Sequence, residues 1–255
     1  MTQLSVNVNK IALLRNSRVG EVPSVVEASR VILDAGAQGL TVHPRPDQRH
    51  VRPHDCDDLR RLLEESAYAE RGLELNIEGN PLDHSHGDHL MPIIRRVKPD
   101  QATLVPDRPD QATSDHGWDV RESFDDLRRL VDELHEIGCR VSLFVDPDLG
   151  QIERVPATGA DRIELYTEGY ARAFARMGDE SNRVFNAYRA AALAAHELGL
   201  TINAGHDLNL HNLPRFLTIP HIAEVSIGHA LIADALHAGL PATVEAYLAA
   251  CSPTR

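Results

Sequence analysis

The sequence of 255 residues is poor in cysteine, in aromatic residues and in long apolar runs, and each scarcity excludes a class of protein. Its three cysteines, Cys56, Cys139 and Cys251, are far apart, so their spacing forms neither a disulfide framework nor a zinc knuckle. Aromatic residues make up only 4%, so a core must be built from leucine, isoleucine, valine and alanine. There is no run of about 18 apolar residues, and residues 1–7 lack a basic and apolar export signal. These absences predict a soluble protein of the reducing cytoplasm.

Positive charge is also in short supply, because 26 lysine and arginine residues face 38 aspartate and glutamate residues, for a formal net charge of −12. This balance repels nucleic acid and anionic lipid, so we expect neither nucleic acid nor a membrane as a partner. An anionic small molecule would need a local basic cluster that works against the overall field. Hydrophobic residues at 42% and charged residues at 25% are typical of a globular chain with a sizeable core.

Four amphipathic stretches end in a glycine and lead within a few residues into a short apolar run. The glycines are Gly36, Gly138, Gly159 and Gly199. Glycine can adopt the left-handed conformation that closes the last turn of a helix, and a short loop then leads into a strand. Each copy therefore predicts a helix, a tight turn and a buried strand.

Short apolar runs bounded by turn residues predict eight strands, at 4–8, 39–42, 73–77, 102–105, 141–145, 163–165, 201–203 and 225–227. Helical patterns lie between them, at 22–35, 57–65, 123–137 and 183–198, and a further helix is expected at 170–180. Strict alternation favours a parallel sheet, and eight units in about 250 residues favour closure. The sequence thus predicts an α/β fold, a closed (β/α)₈ TIM barrel with additional short helices, as a single domain over residues 1–255.

Side chains suited to acid–base chemistry or ligand binding follow nearly every predicted strand. They are Asn7, Asn9, His43, Arg45, Glu78, Asp107, Asp146, Asp148, Glu164, His206 and His229. The carboxyl ends of the strands of a parallel barrel meet at one rim, where active sites of this architecture are assembled. This convergence predicts an enzyme.

Two kinds of anion-binding group are present at these strand ends. Residues 43–50, the basic segment, hold two histidines, two arginines and two prolines, which favours a rigid phosphate-binding loop over the alternative, a solvated surface loop. Lys10, Arg15 and Arg18 add positive charge after the first strand, with surface solvation as the alternative to ligand binding. Gly205 and Gly228, after the seventh and eighth strands, are placed to expose backbone N–H groups to a phosphate.

A competing cluster lies in the segment 83–89. His84, His86 and Asp88 have a spacing that can hold zinc or another divalent ion. This pattern supports an alternative function, a divalent-metal-dependent hydrolase or aldolase on the same barrel. Against it, the segment lies several residues beyond the third strand and is interpreted as an exposed loop before a helix.

The strand-end motifs resemble those of the pyridoxine 5′-phosphate synthase family, in the same order and over almost the whole chain. The segments that carry the resemblance are VNVNKIA at 6–12, LRNSR at 14–18, TVHPR at 41–45 with Arg49 and His50, NIE at 76–78, LVP at 104–106, VSLFVD at 141–146, NAGH at 203–206 and IGHA at 227–230. The resemblance implies condensation of 3-amino-2-oxopropyl phosphate with 1-deoxy-D-xylulose 5-phosphate to pyridoxine 5′-phosphate, phosphate and water. It also implies general acid–base catalysis with no cofactor and no metal, and a homo-octamer built as a tetramer of dimers.

The resemblance also assigns a role to particular residues. It implies proton acceptors at His43 and Glu78, a proton donor at His206 and a carboxylate that stabilises the transition state at Glu164. Contacts to the aminoketone phosphate are implied for Asn7, Arg18, Gly228 and His229. Contacts to the deoxyxylulose phosphate are implied for Asn9, Lys10, Arg45, His50 and Thr113, and Asp207 is placed beside them.

This sequence departs from the common family pattern at several of these positions. Asn9 and Lys10 stand where aspartate and histidine are usual, Asp207 where glycine is usual, and Tyr166 and Glu168 where histidine and glycine are usual. A carboxylate beside a bound phosphate is repulsive, so we expect the Asp207 side chain to turn away and cap the following helix, with only its backbone touching ligand. A binding protein that kept phosphate sites but lost its catalytic groups is the non-enzymatic alternative, and the retention of His43, Glu78 and His206 speaks against it.

Overall fold

The computed structural model describes residues 1–85, 89–111 and 113–252, and its centre is a closed barrel of eight parallel strands. The strands are β1 Gln3–Asn7, β2 Gly39–Val42, β3 Glu74–Gly79, β4 Gln101–Leu104, β5 Arg140–Val145, β6 Arg162–Leu165, β7 Thr201–Ala204 and β8 Ile222–Ile227. Each strand pairs with the next, and β1 closes the ring on β8, with Leu4 opposite Val225. The predicted (β/α)₈ barrel is confirmed, and each of its eight predicted strands overlaps an observed one.

Helices surround the barrel on its outer face. They are α1 Asn9–Asn16, α2 Val25–Asp34, α3 Pro53–Glu64, α4 Leu90–Val97, α5 Phe124–Glu136, α6 Leu149–Ile152, α7 Val155–Thr158, α8 Glu168–Arg176, α9 Gly178–Glu197, α10 Leu213–Phe216, α11 His229–Ala238 and α12 Leu240–Cys251. The further helix expected at 170–180 is α8, which begins two residues earlier. Helix α3 begins four residues before the predicted position, because Pro53 starts it and the Asp55 carboxylate accepts a hydrogen bond from the Arg52 N–H.

The four junction glycines all have positive φ angles, of 106° at Gly36, 79° at Gly138, 85° at Gly159 and 82° at Gly199. This is the backbone region that glycine enters without the steric cost of a Cβ atom. The sequence prediction of a helix, a tight turn and a strand at each copy is therefore confirmed.

The two faces of the strands differ in chemistry. Leu4, Val6 and other apolar residues on one face are fully buried against the helices. On the other face, inside the barrel, the hydroxyls of Ser5 and Thr41 lie 2.7 Å apart, and the Thr103 hydroxyl donates to the Asn76 side chain at 3.0 Å. The expectation of an aliphatic core holds for the layer between strands and helices, but the interior of the barrel is lined by polar residues.

Helix α1 is tied to the basic segment. Arg15, which is 2% exposed, forms a bidentate ion pair with Asp55 of α3 and donates to the His50 carbonyl at 3.3 Å. The Asn16 side chain donates to the same carbonyl at 2.7 Å. Arg15 therefore has a structural role and is not a ligand-binding cation.

Over the described ranges, no helix combines the length and the apolar character that crossing a membrane requires.

Candidate active site

At the carboxyl ends of the strands the barrel opens into a cavity of about 870 Å³, a size that holds small-molecule ligands. The four predicted catalytic residues, His43, Glu78, Glu164 and His206, all line it. Nine predicted substrate-binding residues, all in the described part of the chain, line it as well: Asn7, Asn9, Lys10, Arg45, His50, Thr113, Asp207, Gly228 and His229. The fold therefore brings residues from both ends of the chain into one site.

Arg18 is placed elsewhere. It lies in the segment between α1 and α2, it is exposed, and it does not belong to the residues that line the cavity in the described ranges. A contact between Arg18 and a bound phosphate would need a displacement of this segment. Its predicted role stays a prediction.

His43 and Glu78 face each other at the centre of the cavity. The Nδ1 atom of His43 lies 3.9 Å from Oε2 of Glu78, and its Nε2 atom lies 3.8 Å from Oδ2 of Asp107. The backbone N–H of His43 donates to Oδ1 of Asn9 at 2.9 Å, which joins the ends of β1 and β2. Glu78 lies within β3 and not after it. It still faces the cavity, because alternate residues of a strand point to the same side.

Burial displaces the pKa values of these groups in opposite directions. It lowers the pKa of His43 to about 3, and the positive charges of Arg45 and Arg49 act in the same direction. Burial raises the pKa of Glu78 well above its ordinary value, with further contributions from the negative charges of Glu164 and Asp107. His43 is therefore neutral at neutral pH, and the surroundings of Glu78 favour its protonated form.

Glu164 forms the opposite wall of the cavity from within β6. Burial and the charge of Glu224 raise its pKa to about 8. Its Oε2 atom has no hydrogen-bond partner among the described residues, and a Cβ atom at Gly205 would lie 2.8 Å from both Oε1 and the Ser226 carbonyl oxygen. The position therefore requires glycine, and the carboxyl group stands close to the backbone at the end of β7.

The basic segment is largely buried and does not form the solvated loop that was the alternative. Arg45 is 6% exposed and forms an ion pair with Asp107, and it also donates to the Gln111 carbonyl at 3.0 Å. Arg49 donates to the same carbonyl at 2.9 Å. These contacts hold the loop after β4 against the loop after β2.

His50 is a neutral hydrogen-bond donor to the cavity. Burial, with the nearby charge of Arg45, lowers its pKa to about 3. Its Nδ1 atom accepts a hydrogen bond from the Val51 N–H at 2.9 Å, so the proton of the neutral ring is on Nε2. A donor of this kind suits a phosphate or hydroxyl oxygen.

His206 lies on the rim between two polar partners. Its Nε2 atom is 2.8 Å from the Thr113 hydroxyl, and its Nδ1 atom is 3.0 Å from Oδ2 of Asp207. The expectation that the Asp207 side chain turns away to cap a helix is wrong, because the carboxylate bonds to the neighbouring imidazole. Asp207 still lines the cavity, as predicted for a residue near substrate.

The loop after β8 provides a second anion-binding position. Gly228 is the N-cap residue of α11, and His229 is the first residue of that helix. A Cβ atom at Gly228 would lie 3.1 Å from the Cβ atom of Asn7, so the backbone approaches β1 closely. The N-terminus of a helix with this open approach favours a phosphate.

His84, the one described residue of the cluster proposed for a metal, lies apart from this cavity. His84 lines a different, smaller pocket next to α4, and its ring lies 4.8 Å from that of His89. His86 and Asp88 lie outside the described residues. Among residues 1–85, 89–111 and 113–252, no group of three or more histidine, cysteine, aspartate or glutamate residues is arranged to hold a metal ion.

Two features of the site were not assigned from the sequence. Asp107 was noted after the fourth strand, but its pairing with Arg45 was not predicted; burial raises its pKa and the arginine charge opposes this. The rings of Phe144, Tyr166 and His206 form an aromatic wall, with centroids 5.4 Å and 5.2 Å apart. The positions of these residues in the sequence gave no signal for either contact.

Comparison with known proteins gives consistent results. The family model for "Pyridoxal phosphate biosynthesis protein PdxJ" matches residues 4–253. The "Pyridoxine 5'-phosphate synthase" of Porphyromonas gingivalis is 51% identical over 251 residues, which cover 97% of this chain and 98% of that protein. The protein of the same name from Xanthomonas axonopodis pv. citri is 50% identical over 250 residues, which cover 97% of this chain and 95% of the relative.

Solved structures show the same barrel at much lower sequence similarity. A thiamine phosphate pyrophosphorylase from Pyrococcus furiosus superposes with a TM-score of 0.62 at 12% identity, and the match covers 98% of this chain and 95% of that one. A phosphoribosyl anthranilate isomerase from Thermotoga maritima gives 0.58 at 12% identity, with 99% of each chain covered. These similarities concern the fold alone.

Proposed function

The chain belongs to the family of the pyridoxal phosphate biosynthesis protein PdxJ, and we propose on this basis that its cavity carries out pyridoxine 5′-phosphate synthesis. The substrates that follow from this activity are 3-amino-2-oxopropyl phosphate and 1-deoxy-D-xylulose 5-phosphate, which give the product with loss of phosphate and water. The observation that carries the proposal is that His43, Glu78 and His206 line a single cavity. Its volume of about 870 Å³ is sufficient for two small substrates together.

The reaction needs several acid–base groups, because each step moves a proton. An amine attacks a ketone, an enol forms, phosphate leaves, and a carbon–carbon bond closes the ring before the last dehydration. Groups whose pKa values are pushed apart can divide these tasks within one pocket. The lowered pKa of His43 and the raised pKa of Glu78 provide such a separation.

We assign proton acceptance to His43 and Glu78. The neutral His43 ring carries a lone pair on one nitrogen, and its pKa is lowered by burial and by the charges of Arg45 and Arg49. A substrate phosphate would offset these charges, so His43 becomes a better base when the site is occupied. Glu78, when ionised in this buried place, takes back a proton readily, because burial disfavours its charged form.

His206 and Glu164 complete the assignment. His206, on the rim, is the proton donor to an oxygen that leaves as water. Glu164, on the opposite wall, faces positive charge that develops on nitrogen or carbon during condensation. Burial raises the pKa of Glu164 to about 8, and nearby positive charge would lower that pKa again and favour the ionised carboxylate.

Two phosphate positions follow from the two kinds of anion-binding group. We assign Arg45, His50, Asn9, Lys10 and Thr113, all of which line the cavity, to the deoxyxylulose phosphate. We assign Asn7, Gly228 and His229, which line the same cavity beside the N-terminus of α11, to the aminoketone phosphate. Separate positions are needed because two dianions repel each other in a protein of net charge −12.

The single-domain organisation over residues 1–255, a cytoplasmic location and a homo-octamer built as a tetramer of dimers are also proposals. Exposed apolar side chains near α1 are consistent with a subunit contact: Leu13 is 42% exposed, Leu14 51%, Val19 103% and Val22 85%. Size-exclusion chromatography with light scattering measures the oligomeric state directly.

The proposed activity is tested with purified protein and the two substrates. We expect equal amounts of phosphate and of a product with a pyridinol absorption spectrum, and neither when one substrate is omitted. The reaction is also run with excess EDTA, which separates this activity from the metal-dependent alternative on His84, His86 and Asp88. Absence of the pyridinol product would contradict the proposal, and loss of activity with EDTA would favour the alternative.

Arg45→Ala is expected to weaken binding of the deoxyxylulose phosphate more than it slows turnover. Arginine bonds a phosphate through a planar pair of N–H groups, and losing charged hydrogen bonds of this kind lowers affinity roughly tenfold or more. We expect KM for this substrate to rise by that factor, and Arg45→Lys to recover only part of it. Arg61→Ala, on an exposed side chain of α3, is the matched control. Unchanged affinity in Arg45→Ala would count against this role.

A further inference from the structure

The His206 ring is held by hydrogen bonds at both of its nitrogen atoms. Oδ2 of Asp207 lies 3.0 Å from Nδ1, and the Thr113 hydroxyl lies 2.8 Å from Nε2. The two partners come from different parts of the chain, the loop after β7 and the loop after β4. The orientation of the ring in the cavity is therefore fixed on both sides.

Asp207 and Thr113 are chemically unequal partners. An ionised carboxylate can only accept a hydrogen bond, whereas a hydroxyl can donate or accept. The hydrogen bond with His206 lowers the pKa of Asp207 against the opposing effect of burial, so the carboxylate is ionised at neutral pH. The proton of a neutral His206 ring consequently belongs on Nδ1, and Nε2 accepts from the Thr113 hydroxyl.

The backbone at this position supports a specific role for the side chain. Asp207 has a φ angle of 65°, in the left-handed region that residues other than glycine seldom occupy. The Asn212 side chain donates to the Asp207 carbonyl at 3.1 Å, and the Thr167 hydroxyl donates to the carbonyl of Gly205 at 3.1 Å. A conformation of this kind persists where neighbouring contacts hold it, and such positions cluster at functional sites.

We propose that Asp207 is a positioning residue for His206, which keeps a proton on Nδ1 so that proton transfer to substrate runs through Nε2. The inference rests on the proposed function. When the imidazolium acts, the Nε2–H bond breaks and an O–H bond forms on the departing oxygen of the substrate. The ring is left neutral with its proton on Nδ1, and Asp207 remains ionised throughout. The Thr113 hydroxyl lies 2.8 Å from Nε2, on the side of the ring from which this proton leaves.

Other side chains also lie near Asp207 and His206, but their interactions differ from the hydrogen bond between these two residues. The His229 side chain lies close enough to Asp207 to interact with its carboxylate, and Asp107 lies close enough to His206 to do the same. The Tyr166 ring contacts the His206 ring edge-on at a centroid distance of 5.2 Å. Among these neighbours in the described part of the chain, Asp207 is the one that bonds to Nδ1, so it controls which nitrogen carries the proton.

Solid-state ¹⁵N NMR of histidine-labelled, ligand-free protein tests the tautomer without requiring turnover. His206→Gln identifies the His206 signals by their loss. In the unsubstituted protein we expect the neutral ring to carry its proton on Nδ1. Asp207→Gly, which tolerates the φ angle, should move most of the population to the Nε2–H tautomer, while Asp207→Asn keeps an acceptor oxygen and should retain Nδ1–H. An Nε2–H majority in the unsubstituted protein, or no change in Asp207→Gly, would overturn the proposal.

Kinetics test the consequence of the tautomer. We expect Asp207→Gly to lower kcat at least about tenfold, less than the loss of the acid itself, with nearly unchanged KM for both substrates. Asp207→Asn should restore most of this activity. A changed tautomer with unchanged kcat would refute the role in proton transfer. If the unsubstituted protein forms no pyridinol product, the proposed function fails, and the NMR result still decides whether Asp207 sets the tautomer.

Discussion

Glu78→Gln is expected to lower kcat at least about a hundredfold, the scale for loss of a general acid or base. Glutamine keeps the shape of the side chain and an oxygen that can accept from the Asn7 amide, which lies 3.4 Å from Oε2. It cannot take up or release a proton. The substitution also removes a buried acidic group beside Glu164 and Asp107, so the folded protein should not be destabilised by lost charge pairing.

The control for Glu78→Gln is Glu153→Gln, which makes the same chemical change at an exposed position between α6 and α7. Steady-state rates of phosphate release and pyridinol formation are measured for both variants at saturating substrate. Circular dichroism and thermal unfolding confirm that both are folded. A rate within a few-fold of the unsubstituted protein in Glu78→Gln would refute its assignment as a proton acceptor.

His43→Ala is expected to cause a loss of at least about a hundredfold in kcat as well. The imidazole is the titratable group between Glu78 and Asp107, at 3.9 Å and 3.8 Å from their carboxylate oxygens. The hydrogen bond to Asn9 is made by the backbone N–H of His43, so it survives the substitution and the loop after β2 keeps its place. The effect should therefore be chemical and not structural.

Added imidazole provides a second measurement for His43→Ala. The substitution leaves space in a cavity of about 870 Å³, and free imidazole should restore part of the turnover in a concentration-dependent manner. His237→Ala, exposed in the last turn of α11, serves as the control and should be unaffected with or without imidazole. Near-normal turnover of His43→Ala in the absence of imidazole would contradict the role proposed for this residue.

The barrel could be predicted because its signals are local. Four glycines mark helix ends, and eight short apolar runs mark strands. Because there are eight strands, the sequence predicted a closed barrel. The positions of His43, Glu78 and His206 in one cavity also followed, because parallel strands place their carboxyl ends together. Boundaries were less exact, as at α3, where proline and a side-chain cap extend the helix toward its N-terminus.

The remaining features depend on contacts between loops, which no local pattern encodes. Arg15 and Arg45 look alike in the sequence, yet Arg15 pairs with Asp55 under α1 while Arg45 pairs with Asp107 inside the cavity. The distinction arises only when the loops after β1, β2 and β4 pack together. Asp207 was expected to turn away from the site for electrostatic reasons, and the nearby imidazole reverses that expectation.

The contrast between the two faces of the strands has a consequence for how this enzyme can change over time. Cohesion with the helices depends on the outward aliphatic side chains, whereas the inward residues are held by hydroxyl and amide contacts such as Ser5 with Thr41. Polar substitutions on the inward face can therefore change the active site without weakening the packing of the helices on the barrel. The residues that determine catalysis and the residues that hold the helices in place are different residues, so each set can vary without the other.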